Sequence, residues 1–139
     1  MKSGSSKILT IIALIGLICA SWYTLFNDVN KLQSEYDGYI KTARLKKSNE
    51  LYDDAIDNYN LALNMCSSIE LREEIAELYK SANKIDEYLE FCNQTTSNYP
   101  KDERAYVRLV EYYNNVKDYS LCFNLIDKAE KKGINSNKL

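Results

Sequence analysis

Two hydrophobic patterns divide this chain. The 19 residues from Ile8 to Phe26 carry no charge, and polar atoms enter mainly through Thr10, Ser21 and Thr24, whose hydroxyls can bond back to helix carbonyls. Beyond them the apolar residues recur at spacings of three and four, as in Ala55-Ile56-Tyr59-Ala62-Leu63 and Ile75-Ala76-Tyr79. That spacing is the stripe of an amphipathic helix. The pattern therefore predicts one long apolar helix followed by a series of helices that each bury one face.

The series repeats. Taking Ala43, Ala76 and Val110 as equivalent gives offsets of 33 and 34 residues. The columns Lys46/Tyr79/Tyr113, Tyr52/Ile85/Tyr119, Ala55/Tyr88/Cys122, Tyr59/Cys92/Ile126 and Ala62/Thr95/Ala129 then fall into register. Breaks at Ser48-Asn49, Asn83-Lys84 and Asn114-Asn115 split each repeat into two helices, and breaks at Ser67-Ser68 and Tyr99-Pro100 separate one repeat from the next. Pro100 is expected near a helix start, with Asp102 and Glu103 favouring the positive end of the helix.

This unit resembles the tetratricopeptide repeat. Ile75-Ala76, Tyr79 and Pro100 carry the likeness over 69–102, and Tyr52, Asp53, Asp54, Ala55, Tyr59, Ala62 and Leu63 carry it over the second helix of 36–68. Over 103–132 it rests on Tyr106, Leu109, Tyr113, Ile126 and Ala129. Arg72 stands where that family has an aromatic, and Tyr88 where it has a small residue. The resemblance implies an all-α solenoid of about three repeats with a partner-binding surface along each repeat's first helix. Its groove positions include Arg44, Lys47, Glu73, Glu77, Lys80, Arg104, Arg108 and Glu111, a charge-mixed set. Arg104 and Arg108 match the last part of a carboxylate clamp found in some members, but Glu73 and Glu74 stand where the earlier donors are required, so no clamp is expected.

The apolar run is expected to span a membrane. At about 1.5 Å per residue it covers about 28 Å, close to a bilayer's hydrocarbon core. Ile8, Leu9, Ile11, Ile12, Leu14, Ile15, Leu17 and Ile18 anchor it, and Trp22 and Phe26 form an interfacial belt with Tyr23. The ten Leu, Ile and Phe residues together favour insertion by about 3 to 6 kcal/mol. Lys2 and Lys7 before the span, against Lys31 with Asp28, Glu35 and Asp37 just after it, place the N-terminus in the cytoplasm and the repeats outside. A cleaved signal peptide ending near Ile18-Cys19-Ala20 is the alternative.

Composition narrows the function. One Pro and four Gly leave long helices uninterrupted, and the absence of His removes the commonest general base and metal ligand. The chain after the span carries 16 basic and 20 acidic residues, so nucleic acid is not an expected partner. Neither catalytic residues nor a cofactor or metal site is expected. Cys92 and Cys122 fall on core positions, whereas Cys66 ends a helix and is expected to be exposed. The acidic pair Asp53-Asp54 is expected to be a solvated helix face.

The expected order is a basic tail at 1–7, a membrane helix at 8–26, a helical linker at 27–35, repeats at 36–68, 69–102 and 103–132, and a tail at 133–139. The expected function is a membrane-anchored adaptor that holds a peptide or protein partner. The alternative is an assembly subunit in which the repeats act as a spacer. With three repeats and no polar capping helix, the last helix pair is expected to be half-covered and to favour self-association.

Overall fold

The computed structural model describes the backbone of residues 3–135, 137 and 139, and the side chains of 14–135, 137 and 139. Among the described residues there are six helices and no strand: α1 (Ser3–Ser48), α2 (Tyr52–Met65), α3 (Ile69–Ser81), α4 (Ile85–Asn98), α5 (Arg104–Asn115) and α6 (Tyr119–Glu130). The protein is all-α, consistent with an α-helical repeat. It divides into two compact units, 1–38 and 39–139.

In the N-terminal unit the side chains of Leu14, Ile15, Leu17, Ile18, Trp22 and Phe26 are each more than half exposed along α1. Ser21 Oγ donates to the Leu17 carbonyl at 3.0 Å and Thr24 Oγ1 to the Ser21 carbonyl at 2.9 Å, so both hydroxyls are satisfied within the helix. Among the described residues no helix is long and apolar enough to cross a membrane, and the expected span at 8–26 gains no support there. Ile8, Leu9, Ile11 and Ile12 lie outside the residues whose side chains are described. The described part of the run, 14–26, covers only about 20 Å of helix axis. The expected linker at 27–35 is helical and continuous within α1.

In the C-terminal unit, successive helices pack as neighbours from α2 to α6. Three hairpins result: α3 with α4, α5 with α6, and the end of α1 with α2, where Lys46 reaches Asp54 at 2.9 Å. One turn builds all three. Glu50, Asn83 and Lys117 have φ of 59°, 57° and 62°, the left-handed conformation that closes a helix. The following residues Leu51, Lys84 and Asp118 donate their N–H to the carbonyls of Lys46, Tyr79 and Tyr113 at 3.0, 2.9 and 2.8 Å. The turn residues themselves donate to Lys47, Lys80 and Asn114 at 3.0, 3.1 and 3.0 Å. These paired bonds satisfy the last helix carbonyls, and they recur at the spacing of the apolar columns.

Four of the six columns form the core, while Lys46/Tyr79/Tyr113 and Tyr52/Ile85 are only half-buried and Tyr119 is exposed. Ala43, Ala76 and Val110 are buried, as are Ala55, Tyr88 and Cys122, and Ala62, Thr95 and Ala129. Tyr59 and Cys92 are buried, with Ile126 half-buried at the far end. Small residues at the first column let neighbouring helices approach, and Tyr59, Tyr106, Ile75, Leu78 and Leu109 fill the space between them.

One local expectation changes, and packing adds two features. Pro100 lies in the turn before α5 and not in its first turn. The helix begins only after Asp102, whose carboxylate accepts the Arg104 N–H at 3.0 Å. Tyr99 and Tyr112, off the apolar stripe by sequence, are both half-buried. Tyr99 bonds Ser67 at 2.9 Å, and the Tyr112 ring packs between those of Tyr88 and Tyr113, at 5.9 and 5.4 Å. The tail also folds back: Gly133, at φ 89°, ends α6 and turns Ile134 onto Ile69, Ala105, Tyr106 and Ala129.

The turn residues supply a direct test. A lysine or glutamate in the left-handed region costs about 1–2 kcal/mol, and asparagine less. After the added chain freedom of glycine, Lys117→Gly is expected to raise stability by about 0.5–1 kcal/mol. Asn83→Gly is expected to change it by less than half as much, as read by urea denaturation of the full chain.

Candidate partner-binding site

The first helix of each hairpin brings the expected partner-facing residues onto related positions, and the structure pairs the three arginines among them with neighbouring carboxylates. Arg44 on α1 reaches Glu74 on α3 at 3.3 Å. Arg108 on α5 reaches Glu77 on α3 at 2.6 Å. Arg104 reaches Glu70 on α3 at 2.8 Å and also holds Asp102, with Nη2 at 2.8 Å and Nε at 3.1 Å. Helix α3 is thus an acidic strip between two basic neighbours.

Protonation follows this geometry. The Arg104 guanidinium, hydrogen-bonded to Asp102 and Glu70, is held above its ordinary value, and both carboxylates are held below theirs. Burial works against the charge on Arg108, but the Glu77 carboxylate outweighs it and the net direction is upward. The charges of the two clamp-like arginines are therefore already paired within the protein.

Glu73 is half-buried and lines a small cleft with Arg72, Ala76, Cys92, Thr95, Arg104 and Arg108. At about 10 Å³ that space takes one water molecule, not a peptide carboxylate. Arg72, where an aromatic was expected, is buried, with its guanidinium 5.1 Å from the Phe91 ring centroid and Nη1 3.3 Å from Thr95 Oγ1. Its flat cation replaces an aromatic face by stacking on one. Its Nε, like that of Arg108, is buried without a partner among the described residues.

Lys47, Lys80 and Glu111 are exposed and make no ion pair among the described residues. Lys47 and Lys80 hold one position in successive first helices. The acidic pair at the first hairpin turn is engaged, Asp53 with Lys84 at 2.6 Å and Asp54 with Lys46 at 2.9 Å. Among the described residues no three Cys, Asp or Glu side chains are placed to hold a metal ion.

Sequence reasoning missed the contact beneath Arg44. Tyr59, fully buried on α2, donates its hydroxyl to Glu74 at 2.5 Å, so one carboxylate ties α1, α2 and α3 together. Glu74 reads as one more surface acid in sequence, and only the hairpin stacking brings Tyr59 under it. Tyr88 makes a comparable tie, donating to the Arg108 carbonyl at 3.1 Å.

Compared with known proteins, the chain matches no family model, no curated protein and no solved structure.

Two measurements check this description. Burial, reinforced by the Glu74 carboxylate, pushes the Tyr59 hydroxyl up to about 12, whereas an unfolded tyrosine ionises near 10. The neutral hydroxyl's contribution is therefore complete below pH ~10 and is lost as pH rises toward 12. Tyr59→Phe is expected to lower stability near neutral pH by about 1 kcal/mol and to make the alkaline fall shallower, as read by denaturation across pH 7–12. Burial also pushes the Cys92 thiol up to about 11, and Cys122 is buried. A maleimide is expected to label exposed Cys66 in the native chain, and Cys92 and Cys122 only after denaturant is added.

Proposed function

We propose that this chain is a tetratricopeptide-like protein-binding module, tethered to a membrane by its N-terminal helix and acting as an adaptor without catalytic chemistry. The observation that carries this reading is the recurrence of one hairpin turn at Glu50, Asn83 and Lys117 in step with the buried columns. Equivalent first helices then offer equivalent positions to one extended ligand. Of the cations expected to face a partner, the arginines are engaged by acids on adjacent positions, which leaves Lys47 and Lys80 to meet a ligand. The ligand chemistry this favours is a peptide segment bearing carboxylates spaced to meet both lysines.

The tether rests on the uncharged run 8–26 and on the exposed apolar side chains of its described part. In this reading the N-terminus is cytoplasmic and the repeats lie on the opposite side.

Proximity labelling from a tag at Leu139, in cells carrying the full chain, tests both parts. The expected result is a reproducible labelled protein that Lys47→Glu with Lys80→Glu removes, with the chain retained in membranes after carbonate extraction. A chain released by carbonate overturns the tether. A labelled set unchanged by the double substitution overturns the lysine-bearing surface.

A further inference from the structure

We propose that copies of this chain associate end to end, the last hairpin of one docking on the first hairpin of the next, with Glu111 and Phe123 meeting Lys41 and Leu45.

The charge rule comes from inside the chain. At each junction between successive first helices, the residue one past the Ala43/Ala76/Val110 column pairs with the residue two before that column on the next helix. Arg44 pairs with Glu74 at 3.3 Å, and Glu77 pairs with Arg108 at 2.6 Å. The same two positions at the outer ends are Glu111 on α5 and Lys41 on α1. They are of opposite sign, exposed and in no ion pair among the described residues.

Burial follows the same logic. Thirteen residues past the column stand Ile56, Leu89 and Phe123, which are 5% exposed, half-buried and 70% exposed in turn. This position is covered when another hairpin follows and open at α6, where Val116 and Tyr119 are also open. Two residues past the column stand Leu45, Leu78 and Tyr112, which are 61% exposed, fully buried and half-buried. That position is covered when another hairpin precedes it. The two open faces are the two halves of a junction already made twice within the chain, and their charges match it.

Such a contact uses different surfaces on the two copies, so each dimer keeps one free face of each kind and grows into longer rows or a closed ring. The inference needs no bound peptide and stands apart from the adaptor reading.

Sedimentation of the full chain in mild detergent tests it. The expected result is concentration-dependent association beyond dimers, weakened about tenfold or more by Phe123→Asp, because an exposed aromatic anchor is lost. Glu111→Lys and Lys41→Glu are each expected to weaken it about threefold, and the double reversal to restore it. Phe123→Asp mixed with Leu45→Asp is expected to give heterodimers and nothing larger, since each variant keeps one intact face; this also shows that both fold. A monomeric wild-type chain, association untouched by Phe123→Asp, or a double reversal that fails to restore it overturns the proposal. Association through the apolar N-terminal stretch survives all these substitutions and so counts against it.

Discussion

A helix pair has two broad faces, and its own packing covers only part of each, so the remainder must be covered by a neighbouring pair or stay wet. The C-terminal unit is organised around this constraint. Tyr59, Ile75, Leu78, Tyr106 and Leu109, on three of its helices, are fully buried. Removing each such side chain from water contributes on the order of 2 kcal/mol or more. Each exposed ion pair contributes at most about 1 kcal/mol. Apolar coverage therefore sets the stability of the stack, and the repeated turn sets the geometry in which coverage is achieved.

Much of this was legible in the residues. The period was readable because Ala43, Ala76 and Val110 occupy a place where helices nearly touch, a requirement that leaves a trace in side-chain size. The burial of Cys92 and Cys122 followed from the same columns, and the exposure of Cys66 from its place at a helix end. What could not be read depended on how one hairpin crosses the next. Tyr112 looks exposed from its own helix and is covered by Tyr88 from another. Arg72 looks like a surface cation and lies over Phe91. Pro100 looks like a helix start, but the carboxylate of Asp102 sets the start of α5 farther along. Residues 8–26 read as a membrane span from composition alone, and only 14–26 of them fall among the described side chains.

The candidate site was legible as a set of positions but not as a set of available charges. Eight residues were expected to face a partner, and ion pairs to α3 engage Arg44, Arg104 and Arg108. Tyr59 draws Glu74 further into the structure from below. A surface that looks evenly charge-mixed along the sequence thus offers two lysines in one column, Lys47 and Lys80, with Glu111 standing apart toward the last hairpin.

The signs at these two junction positions also disfavour some of the orders in which hairpins can follow one another. With basic α1, acidic α3 and basic α5, skipping the middle hairpin sets Arg44 against Arg108, and doubling it sets Glu77 against Glu74. Placing the middle hairpin after the last sets Glu111 against Glu74. Each of these three shuffles brings like charges together at a junction where the native order has an attraction. Pairs that add little to stability thereby bias assembly against these three neighbours.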